Sequence, residues 1–214
     1  MSKLVKLQKP KFIDLIEDVI DIYEEITSSD KIQNKTISNE LLEDKDHYGV
    51  TIDSCIFKNV VFSNYSLKSI DLLDTIFENC DLSNMDFTNG SIHRVEFINC
   101  KLLGTKFDDS SIKNVLFKDC LGKYSSFSFS KLNSVNFSNC YMEVSSFQEV
   151  DLNKVSFDNS NFINSYFNKT SLSKMDLTDC DITGISVDIN DVSEVTVNTI
   201  QALELTKLLN INIK

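Results

Sequence analysis

Every fifth residue of this chain is large and apolar. From Ile52 the row runs Phe57, Phe62, Leu67, Leu72, Phe77, Leu82, Phe87, Ile92, Phe97, Leu102, Phe107, Ile112 and Phe117. After Gly122 it resumes at Phe127 and continues to Val187. Of these 28 consecutive positions only Gly122 lacks a large apolar side chain, so the pattern cannot be chance. Neither a helix (period 3.6) nor a strand (period 2) places apolar residues this way. Two residues before each member lies a second row of mostly small residues, such as Val95, Cys100, Thr105, Ser110, Val115 and Cys120, and all six cysteines sit on it. A five-residue unit with one large and one small inward residue builds a coil with four sides and twenty residues per turn. VEFINC (Val95 to Cys100), VLFKDC (Val115 to Cys120) and VNFSNC (Val135 to Cys140) are then the same place on successive coils.

Sorting the large row by side supports this. The first side runs Ile52, Leu72, Ile92, Ile112, Leu132, Leu152, Leu172, and the second Phe57, Phe77, Phe97, Phe117, Phe137, Phe157, Leu177. Like residues stacked at strand spacing form ladders in a parallel β solenoid. Seven coils at about 4.8 Å each give a rod of roughly 34 Å. The inward cysteines read as small buried hydrophobes with no CxxC spacing. Gly122 leaves either a void of side-chain size or room for Tyr124 to turn in. Asn59, Asn79, Asn99, Asp119, Asn139, Asn159 and Asp179 form a structural ladder at one turn.

Three segments follow: 1–49 as an N-terminal cap and connector, 50–189 as the coil array, and 190–214 as a C-terminal dimerisation segment. Phe12, Leu15, Ile16, Val19, Tyr23 and Ile26 have helical spacing after Pro10, predicting an amphipathic helix over Lys11 to Thr27. That helix either covers the open first coil or docks a partner. Ser28 to Gly49 is a connector with room for one irregular coil. Asn198 or Thr199 caps a helix to about Leu209, and Ile211 and Ile213 alternate like a short strand. Ile200, Leu203, Leu205, Leu208 and Leu209 make this end apolar enough to join two chains end to end as a homodimer with two-fold symmetry.

Sites for chemistry are not apparent. The only histidines, His47 and His93, lack metal-ligand spacing, and no Gly-rich phosphate loop occurs. A regular rod offers no cleft in which a carboxylate pair could be tuned. No enzyme and no cofactor are expected. With no apolar leader region and no membrane-length apolar run, the expected location is the cytoplasm, with reduced thiols. The net charge of -11 argues against direct nucleic-acid binding and for partners with basic surfaces. That charge is uneven: the second side carries Glu78, Glu96, Asp119, Asp158, Asp176 and Asp179 against Lys58 and Lys118.

The period resembles that of the pentapeptide repeat family, whose fold is an all-β solenoid, a right-handed quadrilateral β-helix. The resemblance covers about Val50 to Ile189. The stretch from Gly90 (GSIHRVEFINCKLLGTKF) to Phe107 and that from Leu116 (LFKDC) onward to Phe127 are similar to the Qnr branch. The tail with Gln201, Ala202, Leu205, Leu208 and Leu209 looks like that branch's dimerising end. The resemblance implies a dimeric DNA mimic that binds DNA gyrase and topoisomerase IV and confers quinolone resistance, with Glu78, Glu96, Asp119, Asp158, Asp176 and Asp179 as the partner-binding row. Alternatives are an interaction scaffold docked through the N-terminal helix, or an immunity factor guarding gyrase against a natural inhibitor. The chain departs from many Qnr members in lacking loops between coils, because its period never slips, and in its N-terminal helix.

Overall fold

A computed structural model of the chain describes residues 4–12, 17–18 and 30–209. The five-residue period becomes a four-sided parallel solenoid in which each residue lies over the one twenty positions away: Ile92 pairs with Ile112, Ile112 with Leu132, Phe97 with Phe117 and Phe117 with Phe137. The backbone groups are spent along the axis. The Phe62 amide donates to the Asp81 carbonyl at 2.8 Å, and the Asp81 amide returns to the Val60 carbonyl at 2.9 Å. The first two sides of a coil form one eight-residue strand, as in Asp71–Glu78, Ser91–Ile98, Ser111–Lys118, Lys131–Ser138 and Asp151–Asp158. From Asp81 onward the third and fourth sides are held by single bridges such as Asp81 to Lys101 and Asp86 to Lys106.

The large row fills the interior. Phe77 and Phe97 stack with centroids 5.1 Å apart at 5°, and Phe97 and Phe117 at 4.9 Å and 3°. Neighbouring columns meet edge to face, as at Phe107 and Phe117, 5.7 Å apart at 78°. Such contacts add to the area term of burial. The second-side stack breaks at Phe157, tilted 64° to Phe137, because Phe162 on the third side approaches it to 4.4 Å. The small row has its own chemistry. The Cys100, Cys120 and Cys140 thiols donate to the carbonyls of Phe77, Phe97 and Phe117, and the Ser110 and Thr170 hydroxyls to those of Phe87 and Phe147. All six cysteines are free and buried, and burial pushes the Cys55 thiol up to about 11 and that of Cys180 to about 12. The Gly122 gap is filled by neither a void nor Tyr124, which is 60% exposed. Met142 takes the space: a Cβ built on Gly122 would lie 2.4 Å from its sulfur.

Three sequence expectations change. The array begins one coil earlier than residue 50: Lys31–Gln33 pairs with Thr51–Asp53, Thr36 with Ile56, and Leu41–Tyr48 with Val61–Lys68. Ile32, Ile37 and Leu42 are buried in this coil. Its small row is replaced by Asp30, Lys35 and Glu40, which hides the period. The chain also stays on the rod past residue 189, since the Leu177 amide donates to Thr196. Most of the helix expected over Lys11 to Thr27 lies outside the described residues. Within them, Lys11 and Phe12 are not helical, and Glu17–Asp18 forms a short strand (β1) parallel to Lys35 and Thr36. The open first edge thus pairs with a strand at this point, which satisfies its backbone groups directly. At the other end, an α-helix (α1, Thr199–Leu205) begins at Asn198, whose side chain accepts from Ile200 and Gln201, and it continues as a 3₁₀ turn over Thr206–Leu209. The expected strand at Ile211 and Ile213 lies outside the described residues.

Most corners two residues after a large residue have positive φ, as at Asn59 (54°), Asn79 (56°) and Asn99 (51°). Asn and Asp tolerate this region; β-branched residues do not. Val144 sits at such a corner with φ 55°. Val144→Asn should therefore stabilise the fold by about 1 kcal/mol, read as a raised midpoint in chemical denaturation with an unchanged slope.

Candidate interaction surface

Because the interior is filled, function on this rod must lie on its outside. The carboxylates singled out on the second side are tied to the scaffold. Glu78 pairs with Lys58 at 3.6 Å. Asp119 accepts from the Asn139 amide group at 3.0 Å, inside the turn ladder that also joins Asn99 to Asn79 and Asn159 to Asn139. Asp158 accepts from the Ser138 hydroxyl at 3.1 Å. The Thr178 hydroxyl and amide donate to Asp176 and lower its pKa. Glu96 is half-buried and Asp179 exposed. These six do not converge on a point; they are distributed along one side of the rod.

The structure adds something the sequence reading did not contain. Residues 4–12 form a strap that runs against the direction of coil growth along the corner between the first and second sides. The Val5 amide donates to Asn136 Oδ1 at 3.1 Å, and Asn136 Nδ2 donates back to the Val5 carbonyl at 2.8 Å. The Gln8 amide donates to Asn114 Oδ1 at 3.2 Å, and the Lys11 amide to Asp74 Oδ1 at 2.9 Å. Asp74, Asn114 and Asn136 point outward from the coil, yet they are only 5%, 6% and 4% exposed. Pro10, expected at a helix start, lies within the strap between two clamped amides, where its missing N–H is not needed.

The clamps are themselves positioned. Arg94 stands one coil from Asp74 and grips it with two bonds of 2.5 and 2.6 Å. Burial opposes ionisation of Asp74, but the Arg94 guanidinium and the Lys11 amide outweigh it and hold the carboxyl below its ordinary range. His93 lies 3.4 Å from Asn114 Nδ2, leaving Oδ1 free for the strap; burial, then Arg94 and Lys113, lower its pKa and favour the neutral ring. Ser156 donates to Asn136 at 2.7 Å. A signal for this site does exist in the sequence: Arg94 is the only arginine, and it shares a corner register with Asp74 and Asn114.

The strap changes the electrostatics of the second side. Lys6, Lys9 and Lys11 are exposed along it. They bring three positive charges to a side counted as six carboxylates against two lysines. At the C-terminal end the five apolar residues divide. Leu205 and Leu208 rest on the core, whereas Ile200, Leu203 and Leu209 are 76%, 52% and 53% exposed. Gln201 is buried and donates to the carbonyls of Leu177 and Cys180, fastening α1 to the last coil. Among the described residues no group of three or more His, Cys, Asp or Glu could hold a metal ion, and no helix is long and apolar enough to cross a membrane.

A closed four-sided coil of five-residue units, with its polar features on the outside, defines the class. Two family models agree: the pentapeptide repeat region matches residues 90–161, and pentapeptide repeats (8 copies) match residues 145–184. Together these two matches run over residues 90–184, which are similar to pentapeptide repeats. A third model, the SV2A/B/C luminal domain, matches residues 20–107. No curated protein matches the sequence. Among solved structures the chain is similar to QnrB1, a plasmid-mediated fluoroquinolone resistance protein, at 17% identity and TM-score 0.42, over 86% of this chain and 98% of that one. A pentapeptide repeat protein from the Arabidopsis thaliana thylakoid lumen is 24% identical with TM-score 0.36, over 48% of this chain and 68% of that one. Rfr23, a pentapeptide repeat protein from the cyanobacterium Cyanothece 51142, is 12% identical with TM-score 0.27, over 83% and 97%.

The Asp74 clamp has a defined pH dependence. Its folded pKa is lowered, so its contribution is complete above the unfolded value of about 3.9 and is lost as pH falls through the lower folded value. Arg94→Met should cost about 2 kcal/mol at pH 7. The stability difference between wild type and this variant should stay level from pH 7 to about 4.5 and shrink below pH 4, as measured by urea denaturation across that range.

Proposed function

We propose that this protein is a non-catalytic binding rod that engages the basic DNA-binding surface of a type II topoisomerase, DNA gyrase or topoisomerase IV, and modulates it or protects it from fluoroquinolones. The observation that carries this reading is the fixed placement of charge. Asp119, Asp158 and Asp176 are each held by a hydrogen bond from the rod itself, so the second side presents a rigid row of anions. A rigid row can be matched by a basic groove without ordering cost at the anions. The similarity of the Gly90 to Phe107 stretch to the Qnr branch supports the choice of partner. The array's charge is sparser than the one charge per about 1.7 Å of duplex DNA, so shape and local contacts must supply the rest. The exposed Ile200, Leu203 and Leu209 support joining of two rods at their C-terminal ends in the cytoplasm.

The test is plasmid supercoiling by gyrase with and without a fluoroquinolone, titrating in this protein. Restored supercoiling in the drug lanes is expected, as is its loss by at least tenfold on combining Asp158→Lys, Asp176→Lys and Asp179→Lys. No effect at tens of micromolar in either lane would overturn the reading. Ile200→Asp with Leu203→Asp should convert the dimer to monomer in sedimentation velocity while leaving the melting transition in place.

A second reading, a scaffold for another protein, is favoured by the third side, where Leu103, Leu121 and Tyr141 are 39%, 44% and 57% exposed. It predicts that Leu121→Ser with Tyr141→Ser abolishes partner binding and that the charge reversals do not.

A further inference from the structure

The strap contact is built to read a peptide main chain. Among the described residues, the hydrogen bonds that tie residues 4–12 to the coils use the strap's backbone: the amides of Val5, Gln8 and Lys11 and the carbonyl of Val5. The clamped residues recur every three positions, the repeat of an extended polyproline II chain, which rises about 9.3 Å in three residues. From Asn114 to Asp74 is two coils, about 9.6 Å at strand spacing. An extended chain therefore matches the coil spacing over the step from Gln8 to Lys11, and toward Val5 the strap runs obliquely, because Asn136 lies one coil on from Asn114 and two residues along the strand. Between the clamps, Lys6 and Lys9 are left exposed beside the acidic second side.

We infer that the corner lined by Asp74, Asn114 and Asn136 is a binding groove for an extended, lysine-bearing peptide segment, and that residues 4–12 are its intramolecular occupant. A protein partner presenting such a segment takes the groove by displacing the strap. Main-chain clamps tolerate many sequences, and the anions alongside select positive side chains. The polar clamps make the occupant's backbone matter: Asp74, Asn114 and Asn136 are buried with the strap in place and each accepts a hydrogen bond from its main chain, so any chain that covers them must supply the same donors. This inference does not depend on a topoisomerase partner.

The probe is a fluorescently labelled peptide with the sequence of residues 2–12, SKLVKLQKPKF. The acceptor is the full chain carrying Val5→Pro and Gln8→Pro, which removes two clamped amides and keeps the strap's charge. In fluorescence anisotropy the peptide should bind this chain at least tenfold more tightly than wild type, whose own strap competes. Adding Asn114→Leu and Asn136→Leu should abolish binding, and a peptide with its lysines replaced by serine should bind at least fivefold more weakly. No binding to a double-proline chain that melts like wild type would overturn the inference. So would equal binding to all three chains, which marks attraction to acidic surface alone. On wild type itself, excess peptide should speed hydrogen exchange at Val5, Gln8 and Lys11; unchanged exchange at saturating peptide would also overturn it.

Discussion

Each coil is a template for the next, and the rest of the molecule depends on that. Most amides and carbonyls bond to the coils on either side, while some, such as the Met85 amide to the Leu82 carbonyl, close turns of their own coil, so a one-residue slip would misplace every inward side chain beyond it. The strict twenty-residue register is thus a requirement of backbone satisfaction, and the phenylalanine ladders follow from it. When each large residue must lie over its equivalent, flat rings stack and lock the coils at one spacing. Where the third side supplies a second ring, at Phe162, the stack gives way locally and the register holds.

The same constraint shapes the outside. A side chain on one coil has its counterpart one strand spacing away on the next, so polar groups are displayed as rows with a fixed step. Some rows serve the rod, like the Asn and Asp residues that bond to one another along the turn. Others meet an added chain. Asp74 and Asn114 hold the strap where two coil spacings match the rise of three extended residues, and Asn136 holds it one coil on, from the second side. The ion pair between Arg94 and Asp74 joins adjacent coils and orients a carboxylate toward that peptide. Stacking, turn ladder and strap are three uses of one periodicity.

How much of this was legible in the sequence varied with how local the cause is. The coils from residue 50 were legible because one residue in five is large and apolar without interruption. The coil from Lys31 was legible only as room for one irregular coil, because charged residues stand where small ones are expected, although Ile32, Ile37 and Leu42 still turn inward. The cap of α1 at Asn198 was readable from the order of residue types, since a cap is satisfied within four residues. The outcome at Gly122 was not, because the residue that fills the gap, Met142, comes from the next coil. Glu78, Glu96, Asp119, Asp158, Asp176 and Asp179 share one side by their spacing, but the lysines of the strap were invisible in a count by side.

The sequence by itself determined the solenoid, its twenty-residue turn, its filled core and the side on which its carboxylates stand, because all of these follow from a short period repeated along the chain. Only the tertiary structure decided where the N-terminal residues go. Helical spacing over Lys11 to Thr27 and the position of Pro10 are local signals. The bonds from Val5 to Asn136 and from Gln8 to Asn114 join residues 131 and 106 positions apart. Such bonds exist only once the coils have stacked, because stacking is what sets outward side chains from separate turns at the spacing of an extended peptide.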